Sequence, residues 1–372
     1  MDFTLSEAAS DAAGLAETIL TTVLSAERTG QLESDDAPID ERLWAELTAA
    51  GLLSLETDSG LSILESMAVA ERLGRSLARV PFGDHAITGL PLIHKHGSTT
   101  LRERLADRPS GSDAVLVVAA EEDDPHSNPT APQTTLTPTA DGWSLVGTKI
   151  NVGYAGHAAA ILVTAMTDDG VVVVMVDPQA PGVTLIPTPS TGRTPRYALE
   201  LSGVHCDRGS VLAGGARTAA ELAVRQTLAI CADQLGTLSQ ALQLTSAYAS
   251  EREQFSRPIG SFQAVAQRLA DGYIDLQGLS LTTTQAGWLF TQQTESIDAG
   301  ELELAVATAK FWAAEAGHRI AHTTVHVHGG VGLDTSHPAH RYFLRAKQNE
   351  FTLGAAPLTL ETIGSVIAST PA

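Results

Sequence analysis

The chain has 372 residues and 43% hydrophobic content, enough to bury the core of two or three domains. Its 23 basic and 43 acidic residues give a net charge of −20, which argues against nucleic acid or an anionic membrane as the main partner, because both favour basic patches. Residues 1–30 lack the pattern of a secretory signal, no apolar run approaches membrane-spanning length, and Cys206 and Cys231 have no metal-binding or redox spacing. A soluble cytoplasmic protein is therefore expected.

The first part of the chain is predicted to be helical. Apolar residues at helical spacing predict one helix over Leu5–Leu24, a second over Asp40–Leu53 and a third that ends before Pro81. The sequence RPSGSD at 108–113 is expected to be a linker, because it is short, polar and rich in turn-forming residues. These elements predict an N-terminal helical domain over residues 1–111.

After the linker the pattern changes to short β-branched runs bounded by glycine, proline and aspartate, which predicts an all-β middle domain over 112–215. The runs are AVLVVAA, GWSLVGTKINVGYA, AAILVTAM, GVVVVMVDP, GVTLIP and YALELSGVHC. The helical period then returns and predicts a four-helix bundle over 216–372. Its segments lie near 217–249, 258–294, 301–329 and 338–369. The expected fold class is mainly α with a central β-barrel or sandwich domain.

One stretch of the bundle, EREQFSRPIGSFQ at 251–263, combines cations, an aromatic ring and an amide around a Pro-Ile-Gly turn. Arg252 is expected to end one helix, where a cation offsets the helix dipole. The next helix is expected to bury an apolar stripe from Phe262 to Tyr273. Two interpretations follow from these residues alone: an ion pair of Arg252 with an acid such as Glu251 or Asp271, or a site for a planar, phosphorylated ligand.

A second motif is HVHGGVGLD at 326–334, whose glycines can expose backbone N–H groups at a helix end. A capped helix followed by a loop explains it equally well, and no strand precedes it, so it does not predict a Rossmann fold. Histidines cluster before it, and Glu315 with His318 form one Glu-x-x-His pair of the kind found in di-iron bundles. The sequence contains no second such pair, so no metal site is predicted.

These features together resemble the acyl-CoA dehydrogenase family, whose chains have a helical domain, a β-domain and a helical bundle. The resemblance spans nearly the whole chain. It is strongest in two segments that match the family's C-terminal signatures, REQFSRPIGSFQAVAQRLADGYIDL and HVHGGVGLDTSHPAHRYFLRAK. The family binds FAD in extended form across a subunit interface, so the resemblance implies FAD as cofactor and an acyl-CoA as substrate.

By that resemblance, Arg252 pairs with the pyrophosphate of a neighbour's FAD, Phe255 lies against its adenosine half, and Gln263 donates a hydrogen bond there. These residue types suit a charge-assisted phosphate contact, an aromatic surface and an amide hydrogen bond. The resemblance places three more residues at the adenine end, namely His326, Gly329 and Gly330.

The sequence departs from the family where its enzymes carry the catalytic glutamate. The residue before the glycine of the C-terminal Glu-Gly pair is Leu353 here, and the second family position, on the first bundle helix, is Gln226. Neither side chain can accept the α-proton of an acyl-CoA, so no catalytic residue is predicted in this chain. Asp233 and Glu350 are the nearby acids left as candidates for an unusual base.

The β-domain departs from the family as well. AAEEDDPHSNP replaces the loop that usually holds the flavin side, and its acids Glu121 to Asp124 are expected to repel a diphosphate. Ile150, Asn151 and Val152 stand where the family has Trp-Ile-Thr, so the ring and hydroxyl that usually meet the flavin are missing.

Residues for the adenine half are thus kept, while the flavin side and the base are lost. This pattern resembles the beta subunits of actinobacterial heterotetrameric acyl-CoA dehydrogenases that degrade sterol side chains. It implies a subunit that completes the FAD site of a catalytic paralogue, in an α2β2 assembly, with a sterol side-chain CoA ester as substrate. Two alternatives stay open: a self-sufficient dehydrogenase that uses Asp233 or Glu350, and a non-enzymatic scaffold or binding homodimer.

Overall fold

The computed structural model describes residues 3–34, 37–105, 114–124, 128–292 and 299–369, so the predicted linker lies outside the described residues. Short and long helices form the N-terminal part, and the three predicted ones are confirmed as α1, α3 and α4. The bounds are α1 Glu7–Val23, α2 Ala26–Ser34, α3 Glu41–Ala49, α4 Ile63–Arg75, α5 Leu90–His96 and α6 Thr99–Leu105, with a π-helical turn at Gly83–Gly89.

Side-chain caps fix where two of these helices begin. Glu65 accepts a hydrogen bond from the backbone N–H of Ser62 at 2.8 Å while the Ser62 hydroxyl accepts one from the N–H of Leu64 at 3.2 Å, which together cap the start of α4. Asp40 accepts a hydrogen bond from the N–H of Leu43 at 3.1 Å and caps α3 in the same way. The caps stop both helices from fraying at the ends that face the core.

One seven-stranded sheet forms the middle part. Its strands are β1 Leu116–Ala119, β2 Thr135–Pro138, β3 Trp143–Gly153, β4 Ala160–Thr167, β5 Gly170–Val176, β6 Val183–Thr188 and β7 Arg196–Cys206. The order is β1-β4-β2-β3-β7-β6, with β5 also pairing with β4. All six predicted strands are confirmed. The sequence did not predict β2, because its run TLTP is short and mostly exposed and ends in proline.

The C-terminal part contains α7 Ala216–Glu251, α8 Gln263–Thr291, α9 Ala299–His328, α10 Ala339–Phe351 and α11 Ala356–Ser369. A hairpin of β8 Glu253–Gln254 and β9 Arg257–Pro258 joins α7 to α8. The fourth predicted helical segment is divided in two, because Leu353 and Gly354 adopt positive φ angles of 58° and 96°. By length and composition 339–369 is apolar enough to be a membrane-span candidate, but the break leaves helices of 13 and 14 residues, whereas spanning takes about 20.

The predicted buried stripe on α8 is wrong. Tyr273 is 59% exposed and Ile274 is 64% exposed, and the buried residues of this helix begin only at Gly272. The first half of α8 therefore runs along the surface of the chain. Contiguous apolar residues in such a position are typical of a surface that another protein covers.

A continuous hydrophobic core connects the three parts, with members from α4, the sheet, α7 and α9. Helices α4 and α7 approach so closely that a Cβ on Gly236 would lie 1.9 Å from the backbone oxygen of Glu71. This contact fixes the N-terminal helices against the bundle. The π-helical turn after α4 then lies beside β1 and α7, where the sheet meets the bundle.

Candidate active site and cofactor surface

A cavity of about 100 Å³ lies between the sheet and the bundle. The π-helical turn, β3, β7, α7 and α10 supply its walls. Gln226 and Leu353, the two family base positions, both line it, although 127 residues separate them in sequence. The structure therefore brings together the residues that the sequence assigned to the lost base and the lost flavin side.

Glu121 crosses this cavity from the sheet to the bundle. Its Oε2 accepts a hydrogen bond from the backbone N–H of Leu353 at 3.0 Å, and its Oε1 accepts one from the side-chain amide of Asn151 at 2.7 Å. Burial raises the pKa of Glu121, and these hydrogen bonds oppose the rise. A carboxyl group thus lies at the backbone of the family base position, but it comes from the opposite wall.

The conformation of β3 explains how Asn151 reaches Glu121. The pairing of β3 with β7 shifts register between Lys149 and Val152, which is a bulge, and Asn151 takes a φ of 56°. Bulges redirect side chains at the ends of strands and beside sites. This left-handed backbone conformation has an energetic cost for residues other than glycine, and asparagine is among those that tolerate it best.

A second charged group, Asp84 with Arg196, faces the same cavity. The Arg196 guanidinium donates to the backbone oxygen of Asn151 at 2.9 Å. Burial raises the pKa of Asp84 to about 6, although Arg196, the backbone of Val118 and the amide of Gln226 all act to lower it. Gln226 therefore stands beside a buried carboxyl group rather than acting as a base.

Asp233 also lines the cavity, but it is held by other side chains. Arg345 donates to both of its carboxylate oxygens, at 2.8 and 2.9 Å, and the amide of Asn349 donates to Oδ2 at 2.6 Å. Burial would lower the pKa of Arg345, yet Asp233 raises it above its ordinary value. Both carboxylate oxygens of Asp233 already accept hydrogen bonds from these side chains, so the geometry does not favour Asp233 as a proton acceptor.

Glu350 is directed elsewhere. Its carboxylate accepts a hydrogen bond from Lys347 at 2.6 Å and lies 3.2 Å from Nδ1 of His318. It is absent from the described lining of the cavity. Glu315, the other half of the Glu-x-x-His pair, lies 3.8 Å from Arg319. Glu350 is therefore a buried carboxylate paired with Lys347 beside His318, and it does not replace Leu353.

The acidic loop differs from the expectation that all four acids repel an anion. Glu122 points inward, where its Oε1 lies 2.6 Å from the ammonium of Lys149, which is 0% exposed. Burial opposes ionisation of Glu122, but hydrogen bonds from Lys149, Thr134 and the backbone outweigh it and lower the pKa to about 2. Glu121 and Glu122 are thus engaged inside the chain, and Asp123 is the member of the run that is exposed.

The hairpin at 253–258 projects from the bundle. Phe255 and Ser256 form its tip with φ angles of 53° and 64°, and Phe255 is 88% exposed. Arg257 lies over the ring of Phe262, 4.1 Å from its centroid. A rigid turn with an aromatic ring at its tip presents an apolar surface to something outside this chain.

The end of α7, just before the first signature segment, meets the second signature segment at the base of this hairpin. Tyr248, one turn before Arg252, stacks on His328 with 4.4 Å between ring centroids. Every predicted cofactor residue is exposed: Arg252, Phe255, Gln263, His326, Gly329 and Gly330. Among the described residues no acid lies within ion-pair distance of Arg252, so the structure contains no pair of Arg252 with Glu251 or Asp271. The roles of these six residues toward FAD stay predictions.

The inward roles of Asp84, Glu121 and Arg196 were not predicted. Each is a charged residue beside an apolar run, which is the one sequence signal that could have drawn attention to them. The stacking of His328 on Tyr248 of α7 was likewise not predicted. Periodicity says nothing about which distant charged residues meet in one cavity.

Comparisons with known proteins cover the whole chain. The family descriptions "Acyl-CoA dehydrogenase, middle domain" and "Acyl-CoA dehydrogenase, C-terminal domain" match residues 117–204 and 213–368. The chain is 44% identical to acyl-CoA dehydrogenase FadE27 of Mycobacterium tuberculosis, with 100% of both chains covered. A chain of the ChsE4-ChsE5 complex from the same species is 43% identical, with a TM-score of 0.91 and 100% coverage of both. A Tcur3481-Tcur3483 steroid ACAD variant is 35% identical, with a TM-score of 0.90, covering 98% of this chain and 99% of that chain.

Proposed function

The chain belongs to the acyl-CoA dehydrogenase family, and we propose that it is a base-lacking subunit that completes the FAD site of a catalytic paralogue. In this assembly the paralogue supplies the base and the flavin pocket for α,β-desaturation of an acyl-CoA. This chain supplies the residues that hold the diphosphate and adenosine part of FAD. Neither Leu353 nor Gln226 gives it a proton acceptor of its own.

The observation that carries the proposal is the tip of the hairpin. Phe255 and Ser256 hold left-handed backbone conformations, each of which costs on the order of 1–3 kcal/mol in non-glycine residues. Phe255 contacts Phe262 edge to face, with 6.1 Å between ring centroids, yet it stays 88% exposed, so its own chain buries little of the ring. Strain of this kind persists where a binding site uses it. A neighbouring subunit and its cofactor would cover the ring.

The chemistry of the surrounding residues fits an extended dinucleotide. When bound, FAD supplies the hydride acceptor. On this chain, the Arg252 guanidinium offers charge-assisted hydrogen bonds to a diphosphate, and no described acid competes for it. Gln263 is the first residue of α8, where the positive end of a 29-residue helix also favours an anion. Gly329 and Gly330 have no Cβ in the way of an approaching ring, and nothing in this chain lies within 4 Å of where one would be.

The comparisons support the partner and the substrate class. The similar ChsE4-ChsE5 structure is a complex of two proteins, and the similar Tcur3481-Tcur3483 structure is described as a steroid ACAD. We therefore propose an α2β2 heterotetramer in the cytoplasm whose substrate is a sterol side-chain CoA ester. Closed two-fold symmetry is the usual way for such pairs to assemble.

Flavin content per chain tests the proposal. The chain would be purified alone and after co-expression with a family paralogue that has the glutamate and tryptophan missing here. We expect a colourless protein alone and about one FAD per pair of chains in the complex, because the complex holds one complete site per pair. One FAD per chain in the isolated protein would contradict the proposal.

Arg252→Ala should cost the complex its FAD without unfolding this chain, because it removes the diphosphate contact and no buried group. Arg217→Ala is the matched control, since Arg217 is an exposed arginine at the start of α7. Circular dichroism would check that both variants keep their fold. Full flavin content in the Arg252→Ala complex would show that the role assigned to Arg252 is wrong.

A further inference from the structure

The turn between α10 and α11 is held from two sides. From the bundle, the ammonium of Lys310 donates to the backbone oxygens of Glu350 at 3.1 Å and Gly354 at 2.7 Å. From the sheet, Glu121 accepts the N–H of Leu353 at 3.0 Å and the amide of Asn151 at 2.7 Å. We call this arrangement of Glu121, Asn151 and Leu353 the carboxylate clasp. The clasp joins two parts of the fold across the cavity.

Two of the three residues in the clasp are in strained conformations. Leu353 has a φ of 58° and Asn151 a φ of 56°, and Tyr154 on the same wall has a φ of 56°. Leucine has no side-chain hydrogen bond with which to stabilise the left-handed region, so its surroundings must hold it there. The carboxylate of Glu121 does this directly through the N–H of Leu353. The clasp therefore sets the backbone at the position where the family carries its base.

The residues of this cavity do not fit a flavin ring. Its volume of about 100 Å³ is well below the roughly 300–1,000 Å³ of pockets that hold cofactors and drug-sized ligands. Two carboxyl groups, Asp84 and Glu121, line the space together with the guanidinium of Arg196. A three-ring system could enter only if the carboxylate clasp opened, and opening would leave the half-buried amide of Asn151 and the N–H of Leu353 without this acceptor.

We infer that Glu121 is a positioning residue that closes the chain's own cavity, so that the protein itself joins the sheet to the α10–α11 turn and leaves no room for a flavin ring. The inference rests on the proposed function and deepens it. It gives a physical reason why a pair of such chains would hold one cofactor rather than two. In the closed cavity, charged side chains of the protein take the place of a ligand between the sheet and the bundle.

Amide hydrogen exchange of the full-length chain tests the carboxylate clasp at a single atom. The N–H of Leu353 should exchange slowly in the wild type. Glu121→Ala should speed its exchange at least tenfold, because a hydrogen bond to a charged acceptor shifts such an equilibrium by about ten- to hundredfold. Glu121→Gln keeps the shape and an acceptor oxygen but loses the charge, so it should give a smaller increase. Asp123→Asn, a change of an exposed acid two residues away, should have no effect.

Helix α7 provides the internal reference, since unchanged exchange there shows that a variant is folded. If Glu121→Ala weakens the fold, the Glu121→Gln variant still decides the question. Equal exchange of Leu353 in the wild type and in both folded variants would overturn the inference. Uptake of one FAD by the wild-type chain, with Leu353 still protected, would overturn it as well.

The two proposals fail in different ways. Dependence of Leu353 exchange on Glu121 supports the carboxylate clasp even if the Arg252→Ala complex keeps its FAD, an outcome that would contradict only the shared site. Loss of FAD in that complex together with indifference of Leu353 to Glu121 would support the shared site and overturn the clasp.

Discussion

Glu122→Gln should destabilise the middle domain by about 3 kcal/mol at neutral pH. The substitution leaves the fully buried ammonium of Lys149 with Thr164, 3.1 Å away, but without its counter-charge. Removing one partner of a buried ion pair costs about 3–5 kcal/mol, and the amide oxygen of glutamine, which can still accept a hydrogen bond, places the change at the low end. The pKa of Glu122 is lowered from 4.5 to about 2, which agrees with this loss in sign, since the folded chain favours the ionised carboxylate.

The same shift fixes the sign of the pH dependence. A carboxyl group with a lowered pKa contributes its full stability above its unfolded pKa of 4.5, and the contribution is lost as the pH falls toward 2. The difference between wild type and Glu122→Gln should therefore be constant near neutral pH and shrink through that acid window. Urea unfolding, monitored by tryptophan fluorescence, measures this difference in the free energy of unfolding, because Trp143 lies on β3 with Lys149.

Two comparisons make this test specific. Asp123→Asn alters an exposed neighbour and should change the free energy of unfolding by less than about 0.5 kcal/mol. The double variant Glu122→Gln with Lys149→Met removes both charges but keeps an acceptor for Thr134, so it should recover the part of the loss that comes from the unpaired ammonium of Lys149. The reasoning is refuted if Glu122→Gln matches the wild type at pH 7, or if its effect is the same at pH 7 and near pH 2.

Other predictions concern the helix contact and the cavity. Gly236→Ala should lower the melting temperature strongly or prevent folding, because its Cβ would meet the backbone oxygen of Glu71. Gly14→Ala is the control, and it should be neutral or stabilising because nothing lies within 4 Å of the added Cβ. Thermal unfolding compares the two variants. Asp84→Asn should flatten the stability profile between about pH 4 and 6, because a carboxyl whose pKa is raised from 3.8 to about 6 stabilises the fold when protonated and loses that contribution as the pH rises. The prediction is wrong if the melting temperature changes with pH by the same amount in the wild type and in Asp84→Asn across that range.

Local periodicity was sufficient for most of the fold. The β-branched runs became β1 and β3 to β7, and the long apolar repeats became α1, α4 and α7 to α9. The elements that were missed, α2, α5, α6 and β2, have four to nine residues each, too few for a period to show. The break at Leu353 was missed for a different reason. Leucine favours helix, and the contacts that hold this turn, from Glu121 to the N–H of Leu353 and from Lys310 to the oxygen of Gly354, come from residues far away in sequence.

The two halves of the site differed in how well they could be predicted. The exposed half follows from two signatures, each contiguous in sequence, and Tyr248, just before the first of them, stacks on His328 of the second. The buried half depends on residues far apart in sequence: Glu121 meets Leu353 across 232 positions. No local pattern reports such a pairing. The apolar stripe on α8 failed for the opposite reason, because an amphipathic pattern does not say whether a core or another chain covers it.

The carboxylate clasp and the hairpin together bear on the choice between a homodimer and a hetero-oligomer. In a pair of identical chains, each exposed Phe255 and Arg252 would approach a cavity already closed by Glu121, so the hairpins would find no cofactor to contact. The strain at Phe255 and the exposed face at Tyr273 and Ile274 would then be offset by surface burial alone. A paralogue with an open flavin pocket provides both the apolar cover and the diphosphate that an unpaired arginine suits. The arrangement therefore favours a catalytic partner over a second copy of the same chain, which is the assembly that the scaffold alternative requires.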